Sequence, residues 1–299
     1  MRLPFYCPIK DDEHLLSWFM RYHILSGRRT IASSLGVLGV SRSRLKSYDF
    51  NAAFLAVSKF YRSDFDKSFA VTEHSPLALW SLSHGSSYFS AWKLNEESSL
   101  KSVFEPNKLG ILTGWSYCRH CAEEDRESNG FSYWHTEHQV PGTVLCQKHN
   151  QRLVVDRQGL TDINNVSLPH SCVNADGGRI EGWMFEWNDF VLHVFHILKR
   201  NSDAADKLTM QVPEILGLSP FKRLSDNDSL QTHQERFDEE LPAELLKYLF
   251  KFYCQSFKRQ PMVLRSTLGY KVYEKGKHPV YWLAILYWLR HQIDWSVAS

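Results

Sequence analysis

The stretch YCRHCAEEDRESNGFSYWHTEHQVPGTVLCQKHN, residues 117–150, concentrates the cysteine and histidine of this chain. It holds three of the six cysteines and four of the fourteen histidines. The spacing is Cys118-x2-Cys121-x24-Cys146-x2-His149. Two residues between the members of a pair allow a tight turn that directs both side chains to one point, and zinc prefers such tetrahedral sulfur and nitrogen donors. The pattern predicts one structural Zn²⁺ site, whose binding energy stabilises the folded segment.

Two other interpretations of this stretch are open. His120, His135 or His138 could replace His149 as the fourth ligand. The triplet His135-Thr136-Glu137 also has the H-x-E pattern of zinc deaminases, whose glutamate acts on a metal-bound water. In those enzymes the histidine precedes a Cys-x2-Cys pair, whereas here that pair comes first. Because four protein ligands leave no position for water, the order and the ligand count both argue against catalysis.

Composition and charge limit the remaining function classes. The 299 residues are 43% hydrophobic and 23% charged, as in a soluble globular protein. A net charge of +2 requires any nucleic-acid contact to come from local basic patches. Neither a phosphate-binding G-x-x-x-x-G-K-[ST] loop nor a G-x-S-x-G nucleophile motif occurs in the sequence, so we expect no enzyme.

The apolar segments are too short for a membrane. The longest run, Val280–Leu289, has ten residues, and a bilayer needs about 20. The first residues contain no apolar segment typical of a signal peptide. We therefore expect a cytoplasmic protein without a membrane partner, in which reduced thiols favour a metal over a disulfide.

The first hundred residues predict short helices. The acids of Asp11-Asp12-Glu13 are expected to cap a helix in which Leu15, Phe19 and Tyr22 share one face, and Gly27 is expected to end it. A second helix, 30–35, is followed by a turn at 36–39 and then by a helix that Ser41 would cap. This order predicts a helix-turn-helix whose second helix carries Arg42, Arg44 and Lys46. An ordinary helical hairpin with a solvated basic face fits the same pattern.

The chain after the Cys/His segment predicts a separate helical region. Residues 183–200 predict a helix, and the polar residues 201–239 contain several helix breakers. The last sixty residues are again predicted helical, and residues 245–290 carry nine lysines and arginines against one glutamate. This basic segment, which includes Lys258, Arg259 and Arg265, is a candidate contact for nucleic acid or a partner.

These patterns together predict a mainly α fold in three parts. Residues 1–100 form an N-terminal helical, helix-turn-helix-like domain. Residues 101–182 form a zinc-finger domain with the C-x2-C-x24-C-x2-H ligands. Residues 183–299 form a C-terminal helical domain.

Three stretches resemble the TniQ family of transposon target-selection proteins, which includes TnsD. PIKDDEHLLSWFMRYHILSG resembles the start of the family, in which an acidic residue precedes an L-x-S-W-h-x-R helix and a glycine. YCRHCAEED resembles its first metal knuckle, and YWHTEHQVPGTVLCQKHNQRLV resembles its aromatic bridge and second knuckle. The resemblance covers residues 4–155. Many relatives carry a second cysteine-rich finger after the first. In this sequence only His170 and Cys172 remain near that place.

The resemblance implies an adaptor in the prokaryotic cytoplasm, associated with the nucleoid, and not an enzyme. Its implied partners are an AAA+ ATPase transposition regulator of the TnsC kind and a target-recognition module. That module is either a Cascade-like CRISPR effector complex with its guide RNA or an attachment-site DNA, and a homodimer is a further possibility. We expect the RNA-guided kind, since the chain is shorter than TnsD-type members and nearly neutral. The alternatives are a TnsD-type reader of an attachment site and a zinc-containing helix-turn-helix DNA-binding regulator.

Overall fold

A computed structural model describes most of the chain and confirms that the fold is mainly α. The helices are α1 (Leu15–Leu25), α2 (Ile31–Val37), α3 (Ser81–His84), α4 (Arg119–Asn129), α5 (Trp183–Arg200), α6 (Ala204–Ile215), α7 (Asp228–Glu240), α8 (Ala243–Leu249), α9 (Val263–Leu268) and α10 (Pro279–Trp288). Two short strands are β1 (Trp115–Tyr117) and β2 (Val154–Asp156). The structure describes residues 7–40, 57, 71–87, 111, 114–156, 167–171, 178–218, 228–253, 263–268 and 278–298.

The described residues fall into two compact units. One unit holds 7–77 and 114–181, and the other holds 78–87, 111 and 182–298. Helices α1 and α2 and the Cys/His segment therefore share one unit, whereas α3 lies in the other. The division into the domains 1–100, 101–182 and 183–299 stays a prediction.

Helix α1 begins later than its acidic residues predict. Its N-cap is His14, whose ring accepts a hydrogen bond from the Leu16 amide at 3.1 Å. The prediction that the preceding acids cap this helix was wrong, and two of them, Asp12 and Glu13, bind other partners in the unit. The predicted apolar face is buried, as are all residues from Leu15 to His23. Gly27 follows the helix at φ 64°, a left-handed conformation that suits glycine at a helix end.

The second helix begins one residue after its predicted start and ends at Val37, two residues beyond its predicted end. The Thr30 hydroxyl accepts a hydrogen bond from the Ser33 amide at 3.2 Å and caps α2. Gly39 adopts φ 75° in the turn that follows. The helix expected after Ser41 lies outside the described residues, so the helix-turn-helix stays a prediction.

The two strands hold the Cys/His segment together at its ends. They pair antiparallel, with Tyr117 opposite Val154 and Trp115 opposite Asp156. Gly114 precedes the first strand, and a side chain there would meet the Asp156 carbonyl oxygen at 2.8 Å. The pairing places Cys118 directly after a strand whose partner begins shortly after Cys146 and His149.

The second unit is built on two apolar helices. Helix α5 has its predicted bounds, 183–200, and α10 is buried along its whole length. The apolar run 280–289 is thus a core helix, in keeping with its length. The helix breakers noted in residues 201–239 do not prevent helix formation where the structure describes this stretch, since α6 and α7 lie there. Their apolar positions, such as Leu208, Val212 and Phe237, are buried although the neighbouring residues in the sequence are polar.

Within the described ranges, no helix has both the length and the apolarity needed to cross a membrane.

Candidate metal centre

The four predicted ligands come from two short segments. Cys118 is the N-cap of α4 and Cys121 lies in the first turn of that helix, so the helix start directs both sulfurs the same way. Cys146 and His149 lie in a tight turn, in which the Asn150 amide donates to the Cys146 carbonyl at 2.8 Å. Asn150 adopts φ 51°, which asparagine tolerates better than most residues.

The structure brings these four side chains to one point. Their donor atoms all lie within 4.8 Å of one another. His149 Nδ1 is 3.5 Å from Cys118 Sγ, 3.3 Å from Cys121 Sγ and 3.6 Å from Cys146 Sγ. The three cysteines are buried at 0–5% exposure, so this is an enclosed cluster.

The distances fit a tetrahedral ion. Zinc bonds of about 2.3 Å to sulfur and about 2.0–2.1 Å to nitrogen place sulfurs about 3.8 Å apart and sulfur and nitrogen about 3.6 Å apart. Cys121 Sγ and Cys146 Sγ are 3.6 Å apart, which is too far for a disulfide. The residues therefore form a group that could hold a metal ion. All four positions of a tetrahedron would be protein atoms.

The thiols already interact strongly with one another. The Cys118 thiolate accepts hydrogen bonds from Cys121 and Cys146, and this holds the pKa of Cys118 well below its ordinary value. The pKa of Cys121 is raised, because its proton is held by the Cys118 and Cys146 sulfurs and because it is buried. A cation at the centre would replace these shared protons, since metals bind thiolates.

The three other histidines of the segment 117–150 do not join the cluster. The His120 ring is 56% exposed and lies 3.7 Å from the Glu123 carboxylate. His135 is hydrogen-bonded to two carboxylates, and His138 is buried, which lowers its pKa to about 3. Among the described residues only His149 joins the three cysteines in the cluster.

A carboxylate clamp around His135 joins the start of the chain to α4. Its Nδ1 lies 3.2 Å from Asp12 and its Nε2 lies 3.0 Å from Asp125. Burial favours the neutral ring, but the hydrogen bonds to both carboxylates outweigh it and raise the pKa of His135 to about 9. The H-x-E histidine is thus held in a cross-link that ties the N-terminal segment to the metal knuckle.

A buried ion pair reinforces that attachment, and sequence reasoning did not identify it. Glu13 accepts from Arg21 Nε at 2.8 Å and from Arg21 Nη2 at 2.6 Å, with both side chains at most 4% exposed. Ser17 also donates to Glu13, and its oxygen accepts from the Trp134 amide at 2.9 Å. The acidic residue and the L-x-S-W-h-x-R pattern carried the signal for this network, because the spacing of Glu13, Ser17 and Arg21 places them on one side of a helix start.

Most of the residues predicted to contact nucleic acid or a partner lie outside the described part of the chain. Arg42, Arg44 and Lys46, and likewise Lys258 and Arg259, lie outside the described residues. Arg265 is exposed on α9. His170, named above with the second finger of relatives, is hydrogen-bonded to the Ser132 hydroxyl at 2.7 Å, and Cys172 is not among the described residues.

The fold and the cluster define a class of helical proteins with a closed Cys3His centre between two short knuckles. Residues 4–153, which enclose that centre, match the TniQ family. Because the match covers half of the chain, the chain belongs to the TniQ family. Members of this family are non-enzymatic transposition adaptors that work in complexes with other proteins and DNA, so this chain is a transposition-associated target-selection protein. A search of curated proteins found no match to the chain.

Proposed function

We propose that this protein links an RNA-guided CRISPR effector complex, with its guide RNA, to an AAA+ ATPase regulator of transposition. The observation that carries the proposal is the family match over residues 4–153. A length of 299 residues and a net charge of +2 favour docking to proteins over extensive reading of DNA. In such a system base pairing by the guide supplies sequence recognition.

The metal of the centre is zinc in this proposal, held by Cys118, Cys121, Cys146 and His149. Three thiols and one imidazole are a donor set that zinc takes in structural sites. The ion supplies folding energy when bound, and the protein side chains hold the two knuckles in one orientation. Purified protein is expected to carry about one zinc per chain by elemental analysis.

The adaptor has no active site of its own in this proposal. A tetrahedron filled by protein donors offers no position for a reactive water. The Glu137 amide donates to Asp12 at 3.2 Å, and His135 is clamped by two carboxylates, which suits a structural role for the H-x-E triplet.

One variant separates protein docking from DNA reading. In the predicted helix after Ser41, Arg42 and Lys46 share one face and Arg44 points away. Replacing Arg42 and Lys46 by alanine is expected to weaken retention of the guide-RNA effector or the ATPase in a pull-down, with little change in affinity for free duplex DNA. Arg44→Ala is the matched control and is expected to keep both.

The alternative is a direct DNA reader of the TnsD kind. Exposed Arg265 on α9, within a segment of nine cationic residues, favours it. Sequence-specific duplex binding by the isolated wild-type protein, lost with Arg42 and Lys46, would overturn the guided adaptor in favour of this reader. Duplex binding without retention of any ATPase would instead support a helix-turn-helix regulator.

A further inference from the structure

The imidazole of His149 is held on both of its nitrogens. Nδ1 faces the three cysteine sulfurs at 3.3–3.6 Å. Nε2 lies 3.1 Å from an Oε1 oxygen of Glu124. The His149 side chain is 16% exposed and that of Glu124 is 47% exposed, so the carboxylate closes the solvent side of the ring.

This arrangement selects one tautomer of the ring. A neutral imidazole has one N–H donor and one lone pair, and an ionised carboxylate can only accept. Nε2 therefore carries the proton and donates it to Glu124, which leaves the Nδ1 lone pair directed at the sulfurs. The other tautomer would set a lone pair of Nε2 against a carboxylate oxygen and an N–H against the metal position.

Its position on α4 and a contact with Lys148 orient the Glu124 side chain. It lies three residues after Cys121 on α4, so the two side chains occupy adjacent positions on one side of the helix. Its second oxygen, Oε2, accepts from Lys148 Nζ, and Lys148 directly precedes His149. The carboxylate thus bridges the first knuckle to the turn that carries the second.

We propose that Glu124 is a positioning residue for the metal ligand His149, fixing its orientation and making Nδ1 the donor atom. The proposal rests on the metal site proposed above. A carboxylate that accepts from the far nitrogen of a ligating histidine also increases the basicity of that ligand, and its loss lowers metal affinity about 10–100-fold. The neighbouring Glu123 is 72% exposed and lies 3.7 Å from His120, so it offers a matched control on the same helix.

The test measures zinc affinity of the full-length chain against a chromophoric chelator. Glu124→Ala is expected to bind Zn²⁺ about 10–100-fold more weakly than wild type. Glu123→Ala is expected to stay within about twofold of wild type. Glu124→Gln keeps an oxygen acceptor without the charge and is expected to fall between them. Nitrogen-15 correlation spectra of the zinc-loaded protein are expected to show His149 protonated at Nε2.

Each outcome decides the proposal. Equal affinities of the Glu124→Ala and Glu123→Ala variants, or a wild-type His149 protonated at Nδ1, would overturn the positioning role while leaving the metal site intact. A folded wild-type protein that binds no zinc would overturn the site and the role together. Circular dichroism reports folding of every variant, and if Glu124→Ala fails to fold, Glu124→Gln and the wild-type tautomer decide the matter.

Discussion

The attachment of the N-terminal segment to the rest of its unit is tested most directly by replacing Arg21, the arginine of the buried ion pair. In the Arg21→Ala variant the partners that the Glu13 carboxylate retains among the described residues are the Lys10 amide and the Ser17 hydroxyl, at 3.0 and 3.3 Å. Both side chains of the pair are at most 4% exposed, so the Glu13 carboxylate lies away from bulk solvent in the folded protein. Leaving one charge of a buried pair uncompensated costs about 3–5 kcal/mol.

That loss is a substantial fraction of the stability of an ordinary domain, which is about 5–15 kcal/mol. Urea unfolding followed by tryptophan fluorescence is expected to show a lower midpoint for Arg21→Ala at unchanged slope. Arg29→Ala, at an exposed position of the same unit, is the control and is expected to change stability by less than about 0.5 kcal/mol.

A double variant isolates the cause. Glu13→Gln combined with Arg21→Met removes both charges, so it is expected to cost less than the sum of the two single changes. A loss below about 1 kcal/mol for Arg21→Ala, as in a surface pair, would refute the reasoning that this network anchors α1.

Three further predictions concern the metal, the clamp and the basic segment. Cys121→Ser is expected to lose the metal and most soluble protein, because the cluster then lacks a donor and its folding energy; retention of stoichiometric zinc by elemental analysis would contradict this. The raised pKa of His135, about 9 against an ordinary 6.5, stabilises the folded state fully below pH 6.5. That contribution of up to about 3 kcal/mol is lost as pH rises to 9, so urea midpoints should fall over this range in wild type but not in His135→Gln. Replacing Lys258, Arg259 and Arg265 together is expected to weaken nucleic-acid binding and reduce its salt slope by about one unit per lost phosphate contact, and an unchanged slope would favour a solvated basic face.

Patterns that depend on local spacing were readable from the sequence. The two x2 pairs predicted Cys118, Cys121, Cys146 and His149 as one cluster, because a tight turn or a helix start fixes where residues three apart point. The helix over 183–200 followed from apolar spacing, and the last sixty residues were predicted helical, but the burial of Pro279–Trp288 as a core helix was not predicted. The likeness to the TniQ family also rested on such short motifs, and the family match confirms it.

Interactions between distant segments were decided only by the tertiary structure. The acids before α1 are polar and precede a helix, so local rules predicted a cap, but Glu13 is buried against Arg21 and Asp12 reaches His135, 123 residues away. The polar helices α6 and α7 form because packing within their unit buries their few apolar residues, a gain that local propensity does not include. The spacing of residues along the chain limits which side chains can come into contact. Burial in the tertiary structure determines which of those contacts form.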